Sequence, residues 1–131
     1  MSNDFIASFC DKHNLDLLIE FGSRARASHT AASDFDIAIK PKSGTTPDVL
    51  TCIAELERHF DTFIDLTLIN ANTNPLLLWE IAQGRALYEA NPTCFMEMRA
   101  WAWKAYLDAA WMRQRERDWL HRFARRVNHV T

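Results

Sequence analysis

Gly22-Ser23 is followed, after ten residues, by Asp34-Phe35-Asp36, and a further Asp65 stands between Ile64 and Leu66. The apolar run from Leu15 to Phe21 ends in the Gly-Ser turn, and the next apolar run opens on the two carboxylates. A glycine turn lets backbone amides approach a phosphate with no Cβ in the way. Ser23 adds a hydroxyl at what reads as a short helix start, where free amides attract anions. Carboxylates two residues apart on a strand share a face and offer oxygen ligands to divalent cations. Together these are the parts of a nucleotidyl-transfer centre. There, two ions roughly 4 Å apart activate an attacking hydroxyl and neutralise charge on the α-phosphate and the departing pyrophosphate. On this reading Asp34 and Asp36 bridge two divalent ions, and Asp65 completes the site of the metal that activates the hydroxyl. Gly22 and Ser23, assisted by Arg24 and Arg26, hold the triphosphate of ATP or a similar nucleotide.

Electrostatics also asks for a cation. Two carboxylates about 6 Å apart at an effective dielectric near 20 repel by roughly 3 kcal/mol, and Phe35, Ile37 and Ala38 offer nothing to offset it. An acidic residue such as Asp65 inside an apolar strand calls for a partner or a task.

The elements that must position these groups follow from periodicity. Phe5, Ile6, Phe9 and Cys10 mark one face of a helix over residues 3–13, with Asn14 as its stop. Leu15 to Phe21 is a buried strand. Phe35 to Ile39 alternates, with Phe35, Ile37 and Ile39 on one side and Asp34, Asp36 and Ala38 on the other. Thr46 with Pro47 behind it predicts a helix start, the helix running to about Phe60. Residues 63–68 alternate again and carry Asp65. Asn74-Pro75 opens a helix ending near Gly84, and Arg85 to Glu89 is a short strand. The order predicts an α/β (α+β) domain, a small mixed sheet flanked by helices.

From Pro92 to Arg126 there is no interior Gly or Pro, which predicts a helix of roughly 50 Å, longer than so small a domain can cover. Trp101, Ala105, Met112, Trp119 and Phe123 fall on one stripe; Met96, Ala100, Trp103, Leu107 and Trp111 fall nearly opposite. A helix apolar on two sides asks for a second partner. The expected organisation is therefore a domain over 1–91 and a helical extension over 92–131 that packs on the domain and on a partner.

Composition limits the alternatives. At 131 residues and 48% hydrophobic the chain can bury one sizeable core. A net charge of −2 gives no global attraction to nucleic acid or an anionic membrane. The expectation is no nucleic acid as direct ligand and no membrane. With no apolar run near roughly 18 residues and no basic secretory start, the expected location is cytoplasmic. Cys10, Cys52 and Cys94 lack disulfide or zinc spacing and read as reduced thiols. Arg113, Arg115, Arg117, Arg122, Arg125 and Arg126 form a basic cluster that suits a helix C-terminus.

Gly22-Ser23-Arg24-Ala25-Arg26, the ten-residue spacing and Ser33-Asp34-Phe35-Asp36-Ile37-Ala38-Ile39 resemble the signature of the minimal nucleotidyltransferases of the polymerase-β-like superfamily. The resemblance runs over about residues 15–90, since Ile81 to Glu89, IAQGRALYE, resembles the family's closing helix and strand. Ala27 departs from it, standing where a Gly commonly follows the Arg-x-Arg element. The resemblance implies Mg²⁺ dependence, with Asp34, Asp36 and Asp65 as metal carboxylates. It also implies the role of many stand-alone members of this size, antitoxins paired with a HEPN-type ribonuclease toxin, the better understood of which transfer AMP from ATP to a tyrosine of that toxin. The rivals are an antitoxin acting by binding alone and a nucleotidyltransferase acting on a small molecule such as an aminoglycoside. Arg115 and His121 happen to match the Arg-to-His spacing of HEPN ribonucleases, but no Tyr stands two residues beyond that His.

Overall fold

Leu15 to Phe21 becomes one of the two interior strands of a four-stranded sheet. The structure, a computed structural model, describes residues 2–22 and 35–130. Along the chain these form α1 (Ser2–Lys12), β1 (Leu15–Phe21), β2 (Phe35–Pro41), α2 (Val49–Phe60), β3 (Ile64–Leu68), α3 (Pro75–Ala82), β4 (Arg85–Glu89) and α4 (Cys94–Val130). The sheet order is β3-β2-β1-β4. β1 runs antiparallel to β2 and to β4, whereas β2 and β3 are parallel, with α2 as the crossover that a parallel pair needs. The mixed sheet with flanking helices is the architecture expected.

Both faces of the sheet are covered. Leu15, Leu18, Phe35, Ile37, Ile39 and Ile64 meet Ile6, Phe9 and Cys10 of α1 and Cys52 and Leu56 of α2. Leu17, Ile19, Phe21 and Ala38 meet Leu78, Ile81 and Ala82 of α3 and Met98 and Ala102 of α4. Each large apolar side chain so buried contributes about 1.5–3 kcal/mol. This double cover explains why β1 reads as nearly continuous apolar sequence rather than as a polar alternation. The same burial pushes the Cys10 thiol up to about 12 and the Cys52 thiol up to about 11, so these cysteines are packing groups rather than nucleophiles.

Helix boundaries follow their caps. Asn14, at φ 55, is the left-handed residue that turns the chain out of α1. Asn74 accepts from Leu76 N at 2.8 Å, with Pro75 in the first turn, as expected. The start of α2 departs from the expectation at Thr46-Pro47: the cap is Asp48, and the helix begins at Val49. Asp48 accepts from Thr51 N at 3.3 Å and from Thr51 Oγ1 at 2.8 Å. A carboxylate with two local donors is the stronger cap, and Pro47 is left outside the helix. Those same hydrogen bonds hold the Asp48 carboxyl below its usual range.

Gly84 fixes how closely α3 can return to the sheet. A Cβ there would lie 2.2 Å from Glu20 O and 2.8 Å from Phe21 Cβ, so a side chain would force β1 and the start of β4 apart. Gly84→Ala is expected to lower the unfolding free energy by about 1–3 kcal/mol in urea titration.

Candidate active site

The site forms where β1 finishes and β2 and β3 begin. Phe21, the last residue of β1, is the register partner of Asp36, and Asp36 is in turn the register partner of Asp65. Asp36 alternates with Phe35 and Ile37, whose side chains enter the core under α1 and α2. Its carboxylate therefore stands on the opposite face, the one shared with Ala38. Because β2 and β3 are parallel and in register, Asp65 presents its carboxylate on that face one strand spacing away, about 4.8 Å. Asp36 is partly buried and Asp65 is exposed.

Gly22 closes this arrangement from above. Its φ of +79° is a left-handed conformation, and a Cβ on it would lie 2.2 Å from Asp36 Oδ2 and 3.1 Å from Asp36 Cγ. The backbone of the turn is thus laid directly on a carboxylate, and only glycine satisfies both the dihedral angle and the contact. The turn expected to face phosphate and a carboxylate expected to face metal touch each other. Asp36 and Asp65 form an oxygen-only donor pair beside an open backbone, which fits a hard cation such as Mg²⁺. Among the described residues no group of three or more His, Cys, Asp or Glu converges. The third expected carboxylate, Asp34, lies outside the described residues, as do Ser23, Arg24, Arg26, Ala27 and His29.

The structure adds a pair to which sequence reasoning gave no role. Glu20, two residues before Gly22, is only 9% exposed and accepts from Arg85 Nη2 at 2.8 Å across the β1–β4 pairing. Arg85 itself is largely exposed, so solvent screens the pair and its contribution to stability is modest. Its value is positional, since it fixes β4 against the end of β1 on which Gly22 sits. The signal was an acidic residue directly between Ile19 and Phe21, the same kind of signal that singled out Asp65.

The family model described as polymerase beta, nucleotidyltransferase matches residues 4–93. No curated protein matches the chain. Among solved structures, a toxin–antitoxin with AMP-PNP aligns at TM-score 0.72 and 18% identity, covering 92% of this chain and 99% of that one. The toxin–antitoxin MntA-HepT aligns at TM-score 0.65 and 18% identity, covering 91% and 96%. A tri-AMPylated Shewanella oneidensis HEPN toxin in complex with MNT antitoxin also aligns at TM-score 0.65 and 18% identity, covering 91% and 95%. At this identity the likeness is one of fold.

The contact between Gly22 and Asp36 can be tested without any assay of activity. Gly22→Ala is expected to cost about 1–3 kcal/mol of stability from backbone strain and the clash. Adding Asp36→Ala should recover part of that loss in a double-mutant cycle. Strictly additive effects in urea unfolding would show that the two residues do not press on each other.

Proposed function

Because the chain belongs to the polymerase beta nucleotidyltransferase family, we propose that it transfers AMP from ATP to a tyrosine hydroxyl of a cognate HEPN-type ribonuclease toxin and so acts as that toxin's antitoxin. The observation that carries the reading is the in-register pair of Asp36 and Asp65 beneath the Gly22 turn. Support for the acceptor comes from the solved relatives, which include a toxin–antitoxin with AMP-PNP and an AMPylated HEPN toxin with its MNT antitoxin.

Each residue then has a task. The amides of the Gly22-Ser23 turn and the Ser23 hydroxyl bind the triphosphate, and Arg24 and Arg26 balance its outer charges. Asp34 and Asp36 would hold the Mg²⁺ ions, and Asp65 would complete that site on the acceptor side. When bound, Mg²⁺ supplies charge neutralisation at the phosphates and lowers the pKa of the incoming hydroxyl. Asp65, the exposed member, would help accept the proton released by the tyrosine. The tyrosine oxygen forms its bond to the α-phosphorus, the bond to the bridging oxygen breaks, and pyrophosphate leaves with that electron pair. The chain's main contribution is position, since a rigid strand register holds reacting groups in line. Partner contact is assigned to the C-terminal helix, whose exposed side also favours a second reading, neutralisation by binding alone.

Incubation with ATP, Mg²⁺ and its cognate HEPN-type toxin should add roughly 329 Da to that protein per transfer, the mass of AMP joined with loss of pyrophosphate. Asp36→Ala and Asp65→Asn should each slow the transfer by roughly 10²–10³-fold or more. Chelation of Mg²⁺ should stop it. Neutralisation that survives Asp36→Ala with unchanged binding would favour masking over catalysis.

A further inference from the structure

The face that seats α4 on the domain continues beyond the domain. Met98 and Ala102 are the α4 residues buried against the sheet and α3. At about 100° per residue, Met112, Trp119, Leu120, Phe123 and Val127 extend the same side of the helix. Yet every residue from Trp111 to Val127 is exposed, those five by 45–60%. Trp119 and Phe123 already stack on one another, ring centroids 5.4 Å apart and 9° from parallel. The result is a core-like stripe about 25 Å long with no core under it. The opposing aromatics are differently placed: Trp103 packs on Trp79 of α3 at 5.0 Å, and Trp111 lies under the Arg115 guanidinium at 4.7 Å.

Charge narrows what can cover the stripe. Residues 111–127 carry six arginines against Glu116 and Asp118, a net +4. The whole chain has 15 basic and 17 acidic residues, so the remainder holds nine basic and fifteen acidic, a net −6. By helical angle Arg115, Arg122 and Arg126 flank the stripe on one side and Arg113 and Arg117 on the other. Two copies pairing along this segment would bring +4 against +4. The acidic body of a second copy lacks a matching apolar strip, since outside α4 its exposed large hydrophobics among the described residues are Leu50, Phe63 and Leu76, on separate segments. RNA would meet the arginines but leave Met112, Leu120 and Val127 unused.

We infer that the Met112–Val127 face of α4 docks into an apolar groove bordered by acidic side chains on a different protein. This rests on the reading of a toxin partner and gives that partner's surface its chemistry, independently of whether AMP is transferred. Glu116, the one acidic side chain on the stripe, marks where that groove offers a basic or hydroxyl group. Exposed aromatic anchors at its centre and charges at its rim divide the work between affinity and salt-sensitive association.

The test is calorimetric titration of the full chain with the proposed HEPN-type toxin partner at 50 and 500 mM NaCl, with circular dichroism to verify each variant's helix. Trp119→Ala with Phe123→Ala should weaken binding at least 50-fold, while Trp111→Ala stays within threefold. Arg115→Glu with Arg122→Glu should cost at least tenfold at 50 mM and much less at 500 mM. The inference is overturned if the stripe variant binds like wild type, if salt has no effect, or if the wild-type chains do not associate. It is also overturned if sedimentation shows a dimer of this chain that the stripe variant dissociates, or if a single-stranded RNA binds in competition with the partner. Omitting ATP and Mg²⁺ should leave binding unchanged. Stripe-dependent binding without AMP transfer would therefore fail the enzymatic reading alone, and transfer without stripe dependence would fail this inference alone.

Discussion

Two like charges are held at one register on adjacent parallel strands, and the rest of the structure accommodates that constraint. Asp36 and Asp65 sit opposite one another on β2 and β3. At a strand spacing the repulsion amounts to about 1–3 kcal/mol, depending on how far solvent screens it. Neither residue can turn to the other face without taking Phe35, Ile37, Ile64 and Leu66 out of the core, because a strand's side chains alternate strictly. The hydrophobic core under α1 and α2 thus forces two carboxylates together on the opposite face. Burial on one side creates an electrostatic demand on the other.

Gly22 and Gly84 show how closely this end of the sheet is built. A Cβ on the first would strike the Asp36 carboxylate, and one on the second would strike the Glu20 carbonyl and Phe21. Gly84 thus presses on the last two residues of β1, and Gly22, which follows them, presses on the start of β2. The Glu20–Arg85 pair then ties β4 to the end of β1. Positional precision here comes from backbone contact, which suits a reaction whose catalysis is chiefly a matter of placing phosphate, metal and hydroxyl.

α4 divides the chain into two electrostatic characters, an acidic body and a basic distal helix. The first half of the helix finishes the core through Met98 and Ala102. The second repeats the same apolar spacing where no core remains. A helix 37 residues long cannot be covered by a sheet four strands wide, so length alone commits its distal part to solvent or to another molecule.

Much of this was legible in the order of the residues. Alternation placed Asp36 and Ala38 away from Phe35, Ile37 and Ile39, and the strands β1 and β4 appear where apolar runs meet Gly, since these signals are local and each residue carries its own preference. The cap of α2 was misplaced because Thr46 and Asp48 both suit the position, and the tie is broken by which side chain reaches Thr51. The role of Glu20 was not legible, because its partner lies 65 residues away. Sequence by itself determined which elements form and that three aspartates accompany a glycine-serine turn, through spacing and periodicity. Only the tertiary structure decided that Asp36 pairs with Asp65 by register, that Gly22 lies on the Asp36 carboxylate, and that the seating face of α4 runs past its own domain. Those facts depend on distances between segments remote in the chain, and local preference holds no information about them.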